Sequence, residues 1–484
     1  MYRKTMNQKS LFDDPLAFGG VKLNPDNRWI ILSKFIPWEM IEEKYSKSFK
    51  NPKRGNPAKP ARMALGSHII KEKFGLSDAE TVEMIRENPY MQYFIGMPSY
   101  SDKPPFDETT MTWFRKRLSP KMIEEVNNYI TGRSSSDTDN HDKDDSGTGS
   151  PPKCDEEQTS NKGTLILDAT CVPSDIRFPT DASLLNEARE KLESIIDVLY
   201  ANNAWEKKPR TYRRIAHKDY MRFARNRRPS KKIIRKAIKR QLGYIERDLK
   251  AIAAVDTSGL LSTKEQEHLA IIRCMYQQQK EMFTSKRHKV DNRIVSISQP
   301  WVRPIVRGKT AAPVEFGAKV SISMNAGYAY IESLSWDAYN ESQTLKDTVE
   351  RYYEVTGSYP EKILADKIYR TRDNLGYCKK HGIHMNGPKL GRPTKDKELY
   401  AQQCHQEKLE SGKRNAVEGE FGTGKRNYGL DRLTARLKET CETQIHLIFM
   451  VMNLWKRLRL LPSLFFDFLF SLLNNNVLVI SIAV

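Results

Sequence analysis

A stretch of 29 residues near the end of the first third of the chain limits most strongly how this chain can fold. Residues 134–162 contain no Ala, Val, Leu, Ile, Met, Phe, Tyr or Trp, and they carry eight acidic residues against three lysines. Such a segment cannot bury enough apolar surface to offset the entropy that is lost when it becomes ordered. We therefore predict a disordered acidic linker over 133–163, with separately organised sequence before and after it.

The composition indicates a chain that binds a polyanion. At roughly 150 residues per domain, 484 residues allow about three domains. The 80 Lys and Arg outnumber the 60 Asp and Glu, which gives a net charge of +20 and favours nucleic acid or an anionic membrane surface as partner. Six cysteines without a CxxC pair exclude a disulfide scaffold and a cysteine-rich zinc site, and they fit a reducing cytoplasm.

The C-terminal segment is apolar, but its pattern argues against a membrane span. Residues 464–484 are almost entirely apolar, yet Asp467 and the three asparagines 474–476 interrupt them. A span needs about 20 apolar residues, and polar groups in its middle are costly. We therefore predict an apolar C-terminal tail over 461–484 and no membrane partner.

Helix signals predict an all-α domain over residues 1–132. Pro60 and Gly75 are placed to begin and to end one helix. Ser77 and Glu80 have the spacing of a capping box for a second helix that continues to Phe94. A third helix starts after Asp107.

The third helix ends in three cations, Arg115, Lys116 and Arg117. Several short helices with a basic last helix suit a helix-turn-helix-like reader of DNA, with Arg115 and Arg117 as candidate DNA contacts. A helical bundle with a solvated charged face is an equally good interpretation of the composition.

A strand and a strongly basic helical segment follow the linker. The sequence TLILDATCV between Gly163 and Pro173 predicts the strand, and a helical insertion is expected at about 175–294. Residues 207–250 contain 18 Lys or Arg, three acidic residues and interleaved aromatic residues, which favours binding to phosphates over a merely solvated face. The candidate DNA contacts in this segment are Arg225, Arg227, Arg228, Lys231 and Lys232.

From residue 314 the apolar pattern changes to a period of two, which is typical of strands. Two such runs flank residues 324–327 (MNAG), whose Asn, Ala and Gly have the chemistry of a hairpin turn. A helix over 341–356 and an apolar strand in KILADK follow, so we predict a mixed α/β sheet. Residues 442–461 are apolar on most faces and predict a core helix.

One aspartate, Asp168, stands in the middle of an apolar strand, and a second, Asp366, stands at the end of another. Asp168 follows Leu165, Ile166 and Leu167, and Asp366 follows Ile363, Leu364 and Ala365. A carboxylate in such surroundings must be paired, bind metal or serve a function. If the two strands are neighbours, the aspartates form an oxygen-rich site suited to Mg²⁺. The alternative is that each carboxylate caps a following turn.

Glu418 is the third candidate acid. Arg414, Glu418 and Lys425 are spaced by four and seven residues, so on a helix they share one stripe, whereas Glu420 points elsewhere. A carboxylate between two cations fits a metal ligand beside groups that hold DNA phosphates. The glycines at 419, 422 and 424 weaken the helix prediction, and a surface ion pair is the simpler interpretation.

These acids and several motifs resemble the DDE transposases of insertion sequences, and in particular insertion-sequence family five. Arg414-x3-Glu418-x6-Lys425 is similar to that family's tyrosine-arginine-glutamate-lysine signature, with Ser411 where the tyrosine is usual. The N-terminal region resembles the family's helical module that binds terminal repeats. The other stretches that carry the resemblance are DATCVPSDIRFPTD, QPWVRPIVRGK, WDAYNES and ADKIYRTRDN.

The resemblance implies a ribonuclease-H-like catalytic domain over 164–460 and a transposase activity. Asp168, Asp366 and Glu418 would be the catalytic and metal-binding acids, holding two Mg²⁺ ions for which Mn²⁺ can substitute. Arg414 and Lys425 would hold phosphates of double-stranded DNA at transposon ends and target. The resemblance also implies a homo-oligomer on DNA and association with the bacterial nucleoid.

Two other functions are compatible with the same residues. One is a nuclease with the same core that cuts DNA without strand transfer. The other is a DNA-binding protein whose catalytic acids are vestigial, against which the presence of all three acids argues.

Overall fold

The structure, a computed structural model, describes residues 17–18, 20–49, 57–133, 161–257, 259–306, 314–388, 391 and 396–480. For residues 17, 21 and 462–480 it describes the backbone only. Most of the predicted acidic linker and the last four residues of the predicted tail therefore lie outside the described residues.

The chain forms two compact units. The first comprises Met1–Thr170, Val320–Leu334 and Asn340–Val484, and the second comprises Cys171–Lys319 and Ser335–Tyr339. The N-terminal helices and the residues after 340 thus belong to one unit, and the second unit includes the insertion predicted at about 175–294.

The first unit begins with a two-stranded ribbon and seven helices. Their bounds are β1 Ala17–Phe18, β2 Val21–Lys22, α1 Arg28–Phe35, α2 Trp38–Ser46, α3 Ala61–Phe74, α4 Asp78–Glu87, α5 Pro89–Phe94, α6 Thr109–Arg117 and α7 Pro120–Thr131.

Local signals fix several of these helix ends as predicted. α3 begins after Pro60 and ends at Gly75, whose φ of 65° lies in the left-handed region. Ser77 and Glu80 form both hydrogen bonds of the capping box of α4. The prediction that one helix continues to Phe94 is wrong, because Asn88 adopts an extended conformation before Pro89 and the chain starts α5 there.

Helix α15, Lys438–Ile480, forms the core of the helical part of the first unit. The predicted core helix is confirmed: Ile445, Ile448 and Leu454 are fully buried, and α15 packs against α1, α3, α6 and α7. Each such side chain contributes about 1.5–3 kcal/mol on burial. Buried Asn453 donates to Asn127 in α7 at 2.9 Å, which fixes how the two helices meet.

The later elements build a mixed sheet, as predicted. The strands are β3 Thr164–Pro173, β4 Arg303–Val306, β5 Val314–Asn325, β6 Tyr328–Ser335, β7 Lys362–Ala365 and β8 His384–Met385, in the order β4-β5-β3-β7-β8 with β6 paired to β5. The remaining helices of the first unit are α12 Leu345–Thr356, α13 Arg372–Lys380 and α14 Lys397–Asn427.

The predicted hairpin is confirmed in β5 and β6. Ala326 and Gly327 both have positive φ, 48° and 82°, which is the backbone that a tight two-residue hairpin turn requires. Strand β3 pairs in parallel with β7, and β7 pairs in parallel with β8.

The alternation of side chains gives β3 and β7 two different faces. Leu165 and Leu167 of β3, with Ile363 and Ala365 of β7, lie in one buried cluster together with residues of α12 and α13. Because successive side chains point to opposite faces, Asp168 belongs to the other face of the sheet. On that face α14 lies against β7.

The second unit contains a bundle of helices with its own core. The helices are α8 Asp181–Ala201, α9 Arg213–Ala224, α10 Lys231–Ala253 and α11 Thr263–Ser285. Leu185 and Ile196 of α8, Ile245 of α10 and Ile272 of α11 are buried in one cluster. The insertion predicted from its basic, helical sequence is therefore a packed bundle.

Within the part of the chain that the structure describes, no helix has both the length and the apolar character that crossing a bilayer requires.

Candidate active site

Asp168 and Asp366 lie side by side on neighbouring strands, Asp168 in the middle of β3 and Asp366 directly after the end of β7. The last registered pair between β3 and β7 joins Leu167 to Ala365, and the two aspartates come next along the chain. Because the strands are parallel, both carboxylates lie at the same level, at the edge of the sheet where β7 ends. The two strands are therefore neighbours, as the predicted oxygen-rich site requires.

Asp168 is a largely buried carboxylate with two hydrogen-bond donors. Its Oδ1 accepts from the backbone N–H of Ala169 at 2.8 Å, and its Oδ2 lies 3.4 Å from Nη1 of Arg414. Burial raises the pKa of Asp168 to about 6, and the charges of Glu341 and Asp366 add to the rise, whereas Arg414 opposes it. The site therefore concentrates negative charge that a cation would stabilise.

Asp366 is exposed and makes a local contact. Its side chain accepts from the backbone N–H of Lys367 at 2.6 Å and caps a short 3-10 helix, Lys367–Tyr369. The alternative interpretation, that this carboxylate caps a following turn, is therefore confirmed for Asp366. It does not oppose a second role, because a carboxylate has further lone pairs.

Helix α14 brings Arg414 and Glu418 to this edge. Arg414 donates from Nη2 to Oε1 of Glu418 at 2.9 Å, one turn along the helix, and contacts Asp168 with its other terminal nitrogen. One guanidinium therefore bridges the strand acid and the helix acid. Glu418 itself is exposed over 57% of its side chain.

The predicted helical stripe is confirmed although α14 contains several glycines. Lys425 lies two turns beyond Glu418 and is half-buried. Glu420 is on another face, where burial raises the pKa of its carboxyl and Lys456 and Arg459 oppose the rise. Gly424 is closely packed, since a Cβ there would lie 3.0 Å from Leu430 and 3.2 Å from a methionine sulfur in α15.

The three predicted acids have the donor chemistry of a divalent-metal site but do not form one in this conformation. Carboxylate oxygens are the ligands that Mg²⁺ prefers. Among the residues that the structure describes, however, no group of three or more His, Cys, Asp or Glu side chains lies close enough to hold a metal. Glu418 contacts Arg414 instead of joining the two aspartates.

Sequence reasoning missed an acid close to the site. The charge of Glu341 acts on Asp168, and its 3-10 helix, Glu341–Thr344, packs beside Lys367–Tyr369. Asn374 ties these two segments together by donating to the backbone carbonyls of Ser342 and Tyr369 at 2.8 Å each. The only signal in the sequence is that Glu341 belongs to the motif WDAYNES.

A second missed pair anchors α14 to the sheet. His384 of β8 contacts buried Glu410 of α14 at 3.0 Å, and Glu410 lies one turn before Arg414. The two residues are 26 positions apart in different elements, so no local pattern could have indicated the contact.

In the second unit, the predicted phosphate-binding cations lie on the surface. All five are exposed, and none forms an ion pair with a described residue; they are Arg225, Arg227, Arg228, Lys231 and Lys232. Residues 231–240, the first ten of α10, include no buried side chain. Other cations of this segment are neutralised instead, for example Arg213 by Asp197 at 2.7 Å and Arg240 by Asp219 at 3.0 Å.

The two candidate DNA contacts on α6 point inward. Arg115 pairs with Asp78 at 2.7 Å and is only 16% exposed. The guanidinium of Arg117 lies 4.4 Å from the centre of the Phe49 ring. Lys116 and Trp113 are the exposed residues at this end of α6, with the ammonium 5.0 Å from the ring centre. The structure therefore gives Arg115 and Arg117 packing roles that the basic pattern alone did not indicate.

Comparison with known protein families identifies two domains in the chain. Residues 363–455 match the family described as "Transposase DDE domain", and this range includes Asp366, Arg414 and Glu418 but not Asp168. Residues 20–117 match the family described as "Transposase domain (DUF772)", which covers α1 to α6.

One curated relative is an uncharacterized protein, ORF8 in the nfe locus of Rhizobium meliloti. The two sequences are 36% identical over 124 residues, which is 26% of this chain and 58% of the relative. This chain therefore spans less than two thirds of that relative. No solved structure matches the chain.

Proposed function

We infer that this chain, which carries a transposase DDE domain and a second transposase domain, is a DDE transposase that binds the terminal inverted repeats of its insertion sequence, cleaves there and transfers the ends. The observation that carries the proposal is the placement of Asp168 and Asp366 side by side on paired parallel strands, with Arg414 contacting both Asp168 and Glu418. The proposed lineage is insertion-sequence family five, on the motifs quoted above.

The proposed catalytic core is ribonuclease-H-like. In support, a hairpin lies on one side of β3, and two parallel strands, β7 and β8, lie on the other. A rigid sheet holds Asp168 and Asp366 at fixed spacing, which is what positioning in phosphoryl transfer requires.

The proposed reaction has two steps. In the first, a water oxygen attacks the phosphorus at the transposon end, and the 3′-oxygen leaves and takes up a proton. In the second, that 3′-hydroxyl loses its proton and attacks a phosphorus of target DNA, displacing a target 3′-oxygen. No covalent bond to the protein forms, so the chain contributes positioning and charge.

The roles we propose for individual residues follow from their chemistry. Asp168, Asp366 and Glu418 are the acids that take divalent metal, which members of the DDE family normally use; we propose two Mg²⁺, replaceable by Mn²⁺. Arg414 and Lys425 contact phosphates, since guanidinium and ammonium groups are the usual phosphate partners. The exposed cations at the start of α10 hold the DNA backbone.

We also propose binding partners and a cellular location for the protein. A homo-oligomer on DNA would bring two transposon ends together, and the partner is double-stranded DNA at the ends and the target. The five exposed cations around the start of α10, which form no ion pair with a described residue, support a DNA-bound, nucleoid-associated protein.

A strand-transfer assay with the full chain tests the proposed function. The DNA substrate is a labelled duplex with the sequences that flank the gene, incubated with a target plasmid and Mg²⁺. A transposase gives free 3′ ends and products joined to the plasmid. Free ends alone would indicate a nuclease, and binding without either product would contradict an enzymatic role.

A further inference from the structure

We propose that Arg414 is a resident counter-ion that keeps the proposed active-site carboxylates from binding divalent metal until DNA phosphate draws its guanidinium away. The proposal rests on the proposed function, because it concerns the regulation of that same site. It makes metal binding and DNA binding mutually dependent.

The geometry places one cation between two acids from different elements. The guanidinium lies 3.4 Å from Oδ2 of Asp168 on β3 and 2.9 Å from Oε1 of Glu418 on α14. Arg414 and Asp168 are 19% and 17% exposed, so their contact is shielded from most of the solvent. Such a pair is stronger than one at an open surface.

The same contact accounts for the incomplete metal site. A carboxylate oxygen that binds Mg²⁺ lies about 2.0–2.1 Å from the ion, and the ion requires near-octahedral ligands. A guanidinium already bound to Asp168 and Glu418 would stand within a few ångströms of that ion, and two cations at this distance repel each other. Glu418 can therefore join Asp168 and Asp366 around a metal only after Arg414 has moved.

A DNA phosphate is a further negatively charged partner for Arg414, in addition to Asp168 and Glu418. Guanidinium groups form paired hydrogen bonds with phosphate oxygens, and these charge-assisted bonds are among the strongest in proteins. A phosphate at the edge of the sheet would therefore compete with Asp168 and Glu418 for Arg414. Release of the carboxylates then favours metal, and by reciprocity bound metal favours DNA.

The first experiment measures Mn²⁺ binding to the full chain without DNA, by the electron paramagnetic resonance signal of free Mn²⁺. Arg414→Gln removes the competing charge and is expected to bind Mn²⁺ about tenfold more tightly than wild type, within the range usual for coupled sites. Lys413→Gln is the matched control: it removes one positive charge from the neighbouring, exposed position of the same helix and should leave the affinity unchanged.

A second variant keeps the test decisive if Arg414→Gln fails to fold, which a thermal melt would reveal. Arg414→Lys retains the charge but cannot reach two carboxylates with one planar group, so its Mn²⁺ affinity should lie above that of wild type. Equal or weaker Mn²⁺ binding by a folded Arg414 variant would overturn the proposal.

The second experiment adds a duplex with the sequence that flanks the gene. DNA should tighten Mn²⁺ binding by wild type and should have little effect on Arg414→Gln, whose carboxylates are already free. The variant Asp168→Asn distinguishes failure of the counter-ion proposal from failure of the proposed active site. If it abolishes Mn²⁺ binding while Arg414→Gln leaves binding unchanged, only the counter-ion proposal fails. If Asp168→Asn changes neither Mn²⁺ binding nor cleavage, the proposed active site fails with it.

Discussion

At the scale of single residues, Asp168 shows how a largely buried acid within a strand differs from an ordinary surface acid. Burial opposes its charge, while Arg414 and a backbone N–H favour it. A carboxylate that is ionised at such a cost adds little to stability, because an apolar residue of similar size would fold as well or better there. The first prediction concerns the three proposed acids, and the second concerns another buried carboxylate, Asp248.

Replacing any one of the three acids should abolish DNA cleavage and leave DNA binding, measured without divalent metal, largely intact. For Asp168→Ala, Asp366→Ala and Glu418→Ala we expect a loss of at least about a hundredfold, the usual effect of removing one charge-stabilising group. Cleavage of labelled transposon ends and a gel-shift assay measure the two activities. Glu420→Ala, on another face of α14, is the control and should remain active; near-wild-type cleavage by any of the three variants would remove that acid from the site.

Asp248 in the second unit should make stability depend on pH. Burial raises the pKa of this carboxyl to about 7, well above its ordinary value, and Glu193 adds to the rise. The folded state therefore takes up the proton before the unfolded state as pH falls, so the cost of the buried charge is complete above pH 7 and disappears towards pH 4.

The variant Asp248→Asn should consequently raise the melting temperature at pH 8 and have little effect at pH 4. The gain corresponds to a few kcal/mol, since each unit of pKa shift is worth about 1.4 kcal/mol. Glu281→Gln, at an exposed position of α11, removes a similar charge and should change neither melt. A gain of equal size at both pH values would contradict this explanation.

At the scale of elements, α10 has one exposed half and one buried half. Leu242, Ile245 and Ile252 in its second half are buried in the bundle, whereas its first ten residues contribute no buried side chain. Ile238 of the first half packs against the core, but the cations of that half lie on the surface, so we expect that their charges can be changed without unfolding the bundle.

Neutralising the cations around the start of α10 should weaken binding to all DNA sequences alike. The variant changes Arg225, Arg227, Arg228, Lys231 and Lys232 to Gln. Each lost phosphate contact should reduce the slope of log affinity against log salt by about 0.9. Sequence preference should persist, because phosphate contacts position the protein without specifying a base. Unchanged salt slopes for wild type and variant would show that these cations are only solvated.

The element scale also shows what sequence patterns can predict. Caps such as Ser77 with Glu80, the turn at Ala326 and Gly327, and the strand around Leu165 are local signals, and the structure has them where they were predicted. The helical spacing of Arg414 and Glu418 likewise predicted their contact.

Features that depend on distant partners could not be predicted in this way. The pattern of α6 indicated a basic surface, but Asp78 on another helix turns Arg115 inward. The contact of His384 with Glu410 and the charge of Glu341 on Asp168 also join separate elements. Periodicity reports which face of an element is polar, and it does not report which neighbour that face meets.

At the scale of the whole molecule, the N-terminal helices share a core with the C-terminal helix α15. Trp29 stacks edge to face with Trp455 at 5.5 Å, and the backbone carbonyl of Leu118 accepts from Thr443 at 3.0 Å. The predicted boundary between residues 1–132 and the catalytic domain thus does not separate two packed units.

A fragment of residues 1–133 should therefore fail to fold alone. Without α15 it exposes the apolar side chains of α1, α3 and α7 to water. We expect a circular dichroism melt without a cooperative transition, or association in size-exclusion chromatography, in contrast to the full chain. A monomeric fragment with a sharp melt would show that these helices are independent of α15.

The insertion joins two strands that are neighbours in the sheet. Since β3 and β5 pair, residues 174–313 form a loop of 140 residues whose ends are held side by side. The entropy of closing a flexible loop grows only with the logarithm of its length, so this loop costs about 3 kcal/mol more than a four-residue turn. The bundle removes most of that cost if it forms first, because its own core shortens the distance between the loop ends. We therefore expect the bundle to form before β3 pairs with β5, so that the part of the sheet that carries Asp168 is completed late.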